Sequence, residues 1–232
     1  MKQLQPRGLN RRRVEQLISK TKDLDSIGER IEALSRCLIG NPYTPNPLLG
    51  SADTPEVFTA SLDGFDCVTF IETTIALARA RSTDDFSAQL RKIRYENGRV
   101  EWNRRNHYTT SWIRNNIREE ILRPLSTRSF PTITRERILK VVAGLPAVNV
   151  RIRCIPKLAA PRLESHLQTG DVIFFASTKK NLDVFHCGII VRDDGSVVMR
   201  HASRCAKRVV EQDLNEFLTA NRMAGLIIMR PQ

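Results

Sequence analysis

The spacing of apolar positions changes from a helical to a strand period along this chain. Residues 10–22 and 26–38 carry apolar side chains at intervals of three and four, which predicts two amphipathic helices. Ser26-Ile-Gly-Glu29 fits a capping box, and Gly40 is a helix stop. The proline-rich stretch that follows predicts an irregular connector over residues 41–64.

A longer helix-forming run begins at Cys67, just after the turn-like pair Asp63-Gly64. Its inward face is formed by residues at helical spacing: Cys67, Ile71, Thr74, Ile75 and Ala78. A thiol in the first helical turn ionises easily, because the helix dipole and the N–H groups there stabilise negative charge. An inward cysteine can equally be a small core residue, so both interpretations stay open.

After the cysteine helix, the predicted elements are mainly strands. A hairpin is predicted over residues 93–102 around Asn97-Gly98. Alternating apolar residues predict a half-buried strand over residues 148–154, and the turn Thr169-Gly170-Asp171 precedes a buried strand over 172–176.

Two further strands, 184–191 and 197–203, flank Asp193-Asp194-Gly195. A two-residue loop at Asp194-Gly195 puts four residues on one face of the hairpin: His186, Gly188, His201 and Ser203. The two histidines are then diagonal neighbours, roughly 7–8 Å apart at Cα. Gly188 would leave room for the His201 ring, whereas a three-residue loop would turn His201 to the other face.

Two other histidines have simpler interpretations. His107 belongs to a cluster with Tyr108 and Trp112, which can line a substrate pocket or serve as hydrogen-bonded packing. His166, beside the turn at 169–171, is expected to be structural or exposed.

Composition narrows the class of protein. With 232 residues, 41% of them hydrophobic, the chain can bury a substantial core. The formal charge of +12 favours anionic partners, although we do not expect nucleic acid to be among them. Five cysteines without metal-like spacing disfavour a disulfide scaffold or zinc site, and Cys37, Cys154, Cys187 and Cys205 are expected to pack in the core.

The start of the chain lacks the apolar segment of a signal peptide, and no apolar run is long enough to span a bilayer. We therefore expect a cytoplasmic protein, or a cell-envelope or secreted one if a leader was removed.

The cysteine and the two histidines on these elements suit nucleophilic catalysis. An imidazole can hold a cysteine as a thiolate–imidazolium pair, and a second histidine can orient the first. Cys67 would attack an amide carbonyl, and its backbone N–H would stabilise the oxyanion. His186 would then protonate the leaving amine.

Several motifs in this order resemble the NlpC-type papain-like cysteine peptidases of bacterial cell-wall metabolism: Asp66-Cys67, Thr-Gly-Asp171-Val-Ile, His186-Cys-Gly-Ile-Ile-Val and Val-Met-Arg-His201-Ala. Further segments resemble the subgroup described as N-acetylmuramoyl-L-alanine amidase-like: Phe65-Asp-Cys-Val-Thr-Phe-Ile-Glu72, Ile93-Arg-Tyr-Glu-Asn-Gly98, His107-Tyr108 with Trp112, and His201-Ala-Ser. The similarity covers residues 40–230.

The resemblance implies an α+β, papain-like fold in which the cysteine helix packs on an antiparallel sheet carrying the histidines. It implies a catalytic domain over residues 40–232 and leaves residues 1–39 as an N-terminal helical extension. No metal or organic cofactor is required, and the expected partners are peptidoglycan fragments or muropeptides. Oligomeric state stays open.

The resemblance also assigns roles to residues. Cys67 is the nucleophile, His186 the general base and acid, and His201 the orienting third residue. Asp66, before the nucleophile, is expected to help bind substrate, and Tyr43 is the only tyrosine upstream that could assist the oxyanion site. His107, Tyr108 and Ser203 complete the substrate-binding residues expected from the motifs.

Three functions fit these features. The first is a cysteine amidase or peptidase acting on peptidoglycan-type amides, with the bond between muramic acid and L-alanine favoured over bonds within the stem peptide. The second is a thiol acyl-transfer enzyme with another substrate. The third is a non-catalytic basic binding protein on the same scaffold.

Overall fold

The computed structural model describes residues 6–125, 130–193 and 195–232. The chain forms two compact units. The first contains the residues up to Asn106 together with His201–Val210, and the second contains His107–Arg200 and Glu211–Gln232. Cys67 and His201, two of the three predicted catalytic residues, belong to the first unit, and His186 belongs to the second.

Four helices form most of the first unit: α1 (Arg11–Thr21), α2 (Ile27–Cys37), α3 (Cys67–Arg79) and α4 (Thr83–Arg94). The two predicted N-terminal helices are confirmed. The capping box is also confirmed, since the Ser26 side chain accepts from the Glu29 N–H and the Glu29 carboxylate accepts from the Ser26 N–H. Gly40 follows with φ +86°, as expected for a helix stop.

Helix α3 is the centre of the first unit. Helices α1, α2 and α4 all contact it, and every residue from Thr69 to Ala78 is buried. The predicted inward face is therefore confirmed, but it is wider than an amphipathic pattern indicates. Cys67 alone of that face is only half-buried, since it lies at the start of the helix.

The predicted hairpin around Asn97-Gly98 is wrong. Helix α4 continues to Arg94 and is followed by a 3₁₀ turn over Glu96–Gly98, with only an isolated bridge from Tyr95 to Arg105. Asn97 and Gly98 do adopt the positive φ values, 53° and 65°, that the turn signal predicts. Helical spacing in the preceding segment determined its structure instead.

The second unit begins with α5 (Thr109–Arg118) and contains most of the sheet. The strands are β1 (Leu122–Pro124), β2 (Ile133–Leu139), β3 (Val148–Cys154), β4 (Val172–Ala176), β5 (Val184–Asp193), β6 (Ser196–Ser203), β7 (Arg208–Asp213) and β8 (Gly225–Pro231). Short helices α6 (Ala160–Glu164) and α7 (Leu214–Ala220) complete it. Six strands form an antiparallel sheet in the order β1-β8-β4-β5-β6-β7, and β2 and β3 form a separate hairpin.

This arrangement confirms the α+β class and the strands predicted at β3, β4, β5 and β6. Strand β4 is buried along its whole length, as its continuous apolar run indicated. Aromatic and aliphatic residues from β4, β5, β8 and α7 form the main core of the second unit. The division at residue 39 into an extension and a catalytic domain stays a prediction.

The register of the β5–β6 hairpin is the predicted one where the structure describes it. Asp193 pairs with Ser196 and Ile189 with Arg200, as a two-residue loop requires. Asp194 itself lies outside the described residues, and Gly195 has φ +93°.

The expected role of Gly188 needs correction. A Cβ at Gly188 would lie 2.6 Å from Met199 Sδ and 3.0 Å from the Arg200 carbonyl oxygen. The nearest side-chain atoms therefore belong to Met199 rather than His201. Glycine is required at position 188 because the flexible Met199 side chain passes over it, and not because a histidine ring needs the space.

The expected packing of the other cysteines is half right. Cys154 and Cys187 are buried, but Cys37 and Cys205 are exposed. Cys37 is the last residue of α2 and Cys205 lies in the turn after β6, so both fall at element ends where side chains reach solvent. All five cysteines are free thiols.

A buried ion pair fixes α3 within the first unit. Glu72 on α3 and Arg94 on α4 approach to 2.7 Å, and each side chain is only 3% exposed. Arg94 also donates to the Thr59 carbonyl oxygen in the connector. Burial alone would lower the pKa of Arg94, but the charges of Glu72 and Tyr95, together with side-chain hydrogen bonds to both, raise the pKa of Arg94 above its usual value.

The second unit has a comparable pair at the Thr-Gly-Asp turn. The buried Asp171 carboxylate accepts two hydrogen bonds from Arg230, at 2.7 and 2.8 Å, and a third from the Gln168 N–H. This bidentate pair joins the start of β4 to its neighbour β8. The sequence motif at Asp171 thus has a structural role.

The Glu72–Arg94 pair gives the first prediction. Glu72→Gln should lower the free energy of unfolding by about 3–5 kcal/mol, because it leaves the Arg94 charge buried and uncompensated. Urea unfolding followed by circular dichroism measures the change. The control is Glu136→Gln, which removes an exposed ion pair with Arg151 and should cost no more than about 1 kcal/mol. Equal effects of the two substitutions would contradict the assigned role.

Candidate active site

Cys67 is the first residue of α3, and its position is fixed by the residue before it. Asp66 is the N-cap, and one of its carboxylate oxygens accepts from the Val68 and Thr69 N–H groups at 3.1 and 2.8 Å. The Thr69 hydroxyl donates to the same oxygen and accepts from the Asp66 N–H, which completes a capping box. The cap holds the Cys67 backbone at the positive end of the helix dipole.

This geometry bears on the substrate-binding role expected for Asp66. One carboxylate oxygen already accepts three hydrogen bonds from the helix start. Any contact with substrate would therefore be made by the other oxygen. Asp66 fixes the Cys67 backbone, and its expected contact with substrate stays a prediction.

Tyr43 is brought to this site by backbone pairing rather than by sequence proximity. The connector runs alongside the residues before Cys67: the Thr44 N–H donates to the Phe65 carbonyl at 2.9 Å, and the Phe65 N–H donates to the Pro42 carbonyl at 3.0 Å. Glycine at position 64 permits this close approach, because a Cβ there would overlap the Thr44 side chain and lie 3.2 Å from the Pro42 oxygen.

The electrostatics of Tyr43 show what surrounds its hydroxyl. Burial raises the pKa of Tyr43, and the negative charges of the Cys67 thiolate and the Asp66 carboxylate raise it further. The Arg204 guanidinium acts in the opposite direction. The thiol and the guanidinium are therefore each close enough to act on the phenol, and all three groups belong to the first unit.

His201 is also in the first unit, near the end of β6, and is only 3% exposed. Ser203 follows two residues later, where its hydroxyl accepts from the Ala206 N–H at 3.2 Å and shapes the turn after the strand. The expected substrate contact of Ser203 stays a prediction. Arg204, which the sequence analysis did not single out, begins that turn and is exposed.

His186 lies in the second unit, half-buried on β5. Its ring stacks on Phe217 of α7, with centroids 5.5 Å apart, and is nearly parallel to the cross-strand Phe175 ring at 6.3 Å. The neighbouring Cys187 is buried, as strand alternation predicts. Sequence reasoning missed both phenylalanines, because nothing local relates Phe175 or Phe217 to His186.

The aromatic cluster at the start of the second unit has a packing role at Tyr108. Its side chain is 6% exposed within a cluster that includes Leu139 and Ile152, and its hydroxyl accepts from the Val141 N–H at 3.1 Å. A substrate-binding role for Tyr108 or the half-buried His107 stays a prediction. His166 is exposed at the edge of the Phe130 ring, as expected.

Over residues 6–125, 130–193 and 195–232, no group of three or more histidine, cysteine or acidic side chains could hold a metal ion. Nor does this part of the chain contain a helix long and apolar enough to cross a membrane.

Comparison with known families identifies the chain by its sequence. Residues 33–226 match the profile of the AmiA-like family, described as N-acetylmuramoyl-L-alanine amidase-like. The chain belongs to the AmiA-like family. The match includes Tyr43, Asp66, Cys67 and both histidines of β5 and β6, so the proposed site lies within the family's common region.

Solved structures show the fold of the AmiA-like family in this chain. One is an N-acetylmuramoyl-L-alanine amidase from Bacteroides uniformis, at a TM-score of 0.80 and 24% identity, covering 90% of this chain and 100% of that one. A Legionella pneumophila protein matches at a TM-score of 0.81 and 20% identity, covering 95% and 94%. A Bacteroides fragilis protein described as a xylanase matches at a TM-score of 0.72 and 24% identity, covering 84% of this chain and 98% of that one. No curated protein matches the chain.

The surroundings of Tyr43 give the second prediction. Cys67→Ala should lower the pKa of Tyr43, because it removes a negative charge that disfavours the phenolate. Ultraviolet titration, with Tyr43→Phe as the reference that identifies the signal, measures the shift. Cys37→Ser, an exposed thiol at the end of α2, should leave the pKa of Tyr43 unchanged. If Cys67→Ala leaves the pKa of Tyr43 unchanged, the Cys67 thiol does not lie close to the Tyr43 phenol.

Proposed function

We propose that this AmiA-like protein is a cysteine-dependent amidase that cleaves an amide bond in peptidoglycan or muropeptides. The observation that carries the proposal is the placement of Cys67 as the first residue of a capped, buried helix with the Tyr43 phenol beside it. A cysteine used only for packing would need neither the capped helix start nor a polar neighbour of this kind. Membership of a family described as amidase-like supports the same conclusion.

Activation of the thiol depends on two supports. The first is local: the positive end of α3 stabilises the Cys67 thiolate. The second is His186, which we propose as the imidazole that takes the thiol proton. Its stacking on Phe217 restricts the orientation of the ring. His201, the proposed orienting residue, is buried, as suits a group that holds another in place.

The reaction follows from these groups. Cys67 Sγ forms a bond to the amide carbonyl carbon, and the carbonyl electron pair moves to oxygen, where the Tyr43 hydroxyl and the Cys67 N–H are the proposed donors. His186 gives its proton to the nitrogen as the C–N bond breaks, which releases the amine and leaves a thioester. A water molecule, deprotonated by His186, then hydrolyses the thioester and restores the thiol.

The proposed substrate rests on the family and on surface charge. The family description and the Bacteroides uniformis structure both name the bond between N-acetylmuramic acid and L-alanine. A formal charge of +12 suits an enzyme whose substrate carries carboxylates. A stem-peptide endopeptidase would use the same three residues, and the identity of the products separates the two.

The third prediction tests the activity. Cys67→Ala or His186→Ala should lower turnover of defined muropeptides by about 10⁴-fold or more, because removing either member disables nucleophilic attack. Mass spectrometry of the products identifies the bond. Two matched controls, Cys205→Ser and His166→Ala, remove an exposed thiol and an exposed imidazole and should keep full activity.

Either of two results would reject this mechanism. One is muropeptide cleavage that survives Cys67→Ala. The other is muropeptide binding that falls with salt while ignoring Cys67→Ala and without any cleavage, which would indicate the non-catalytic binding protein.

The fourth prediction tests the thiolate itself. Cys67 in the parent should react with iodoacetamide at mildly acidic pH, where an ordinary thiol is protonated. His186→Ala should move the midpoint of this reaction to higher pH, because the imidazolium that stabilises the thiolate is lost. Peptide mapping by mass spectrometry follows Cys67 separately from the exposed Cys37 and Cys205. If His186→Ala leaves the pH midpoint of Cys67 alkylation unchanged, His186 does not stabilise the Cys67 thiolate.

A further inference from the structure

The turn Arg204–Lys207, which joins β6 to β7, is fixed against the nucleophile's surroundings by the backbone. The Tyr43 N–H donates to the Lys207 carbonyl oxygen at 2.9 Å, and residue 42 bridges to Arg208. On its other side the same connector pairs with Phe65, two residues before Cys67. The connector thus links the turn to the start of α3 through continuous hydrogen bonds.

Arg204 is the residue of this turn whose charge reaches the site. Its positive charge acts on the Tyr43 phenol, as do the negative charges of Cys67 and Asp66. Arg208, four residues later and also exposed, is not among the groups that act on Tyr43. Arg204 therefore acts on the phenol that backbone pairing brings beside the start of α3, whereas Arg208, the first residue of β7, does not.

Arg204 has a free guanidinium. In the part of the chain that the structure describes, no carboxylate forms an ion pair with it, whereas buried or half-buried arginines such as Arg94, Arg105 and Arg230 are paired. Asp66, the nearby carboxylate, uses one oxygen to cap α3. An exposed, unpaired guanidinium that acts on the phenol next to Cys67 is suited to bind an anionic group of the substrate, and its planar donor pair fits a carboxylate.

We propose that Arg204 is a specificity-determining residue that binds a carboxylate of the substrate next to the amide under attack. The role of this group in turnover rests on the function proposed above. The substrate class is accordingly an acidic peptide amide, in which a free carboxylate close to the cleaved bond increases the specificity constant. Amidation of that carboxylate removes the ion pair and the preference.

The fifth prediction uses two alkylating reagents that differ only in charge. Iodoacetate carries a carboxylate and iodoacetamide carries the neutral amide, so the ratio of their rate constants at Cys67 reports a cation beside the thiol. Arg204→Gln should lower this ratio by about three- to tenfold at low ionic strength, and added salt should reduce the difference. Arg204→Lys should keep most of the ratio, and the matched control Arg208→Gln should keep all of it.

The ratio isolates carboxylate binding from thiolate stabilisation. If Arg204 only stabilised the thiolate, Arg204→Gln would slow both reagents equally and leave the ratio unchanged, and that result would overturn the proposal. Site-resolved mass spectrometry on the full chain confines the measurement to Cys67. The experiment needs no turnover, so its outcome does not depend on whether muropeptides are cleaved.

A second measurement connects the residue to the substrate. Two muropeptides that differ only in a free or amidated carboxylate beside the cleaved bond are compared with the parent and Arg204→Gln. We expect Arg204→Gln to raise KM for the carboxylate form about tenfold, with little change in kcat and little effect on the amidated form. Equal effects on both forms would exclude carboxylate recognition, even with the amidase activity intact.

Discussion

The buried ion pair between Glu72 and Arg94 is the interaction on which the position of Cys67, the proposed nucleophile, depends. Glu72 lies within α3, and Arg94 reaches it from α4 while donating to the connector at Thr59. Because both charges are almost fully buried, any displacement of α3 would leave one of them uncompensated at a cost of several kcal/mol. The pair therefore fixes the rotation of a helix that is buried from Thr69 to Ala78.

Because α3 is fixed, its first residue, Cys67, has a well-defined position. Asp66 caps the helix, so Cys67 is held where the helix dipole favours a thiolate, and the connector carries Tyr43 to the same point. The turn that contains Arg204 is also hydrogen-bonded to that connector. Cys67, Tyr43 and Arg204 thus lie on three segments that are distant in sequence and are held together by backbone pairing, which is a more rigid support than side-chain contacts alone.

The two units differ in how they hold their chemical groups. The first unit positions Cys67 by capping and charge, whereas the second positions His186 by aromatic stacking on Phe175 and Phe217. Asp171 and Arg230 support the second unit as Glu72 and Arg94 support the first, by joining neighbouring elements through a paired charge. The proposed amidase mechanism needs both kinds of support, because the thiolate must be stabilised and the imidazole must keep its orientation.

The sequence by itself determined the local features: the capped helix that starts at Cys67, the strands around the histidines and the register of the β5–β6 hairpin, since period, capping and turn residues act over a few positions. It failed at Asn97-Gly98, where helix α4 extends to Arg94 and a 3₁₀ turn replaces the predicted hairpin, and at Gly188, where the Met199 side chain occupies the space expected for an imidazole. Only the tertiary structure decided that Tyr43 and Arg204 join Cys67, because pairing between distant segments leaves no periodic trace in any one of them.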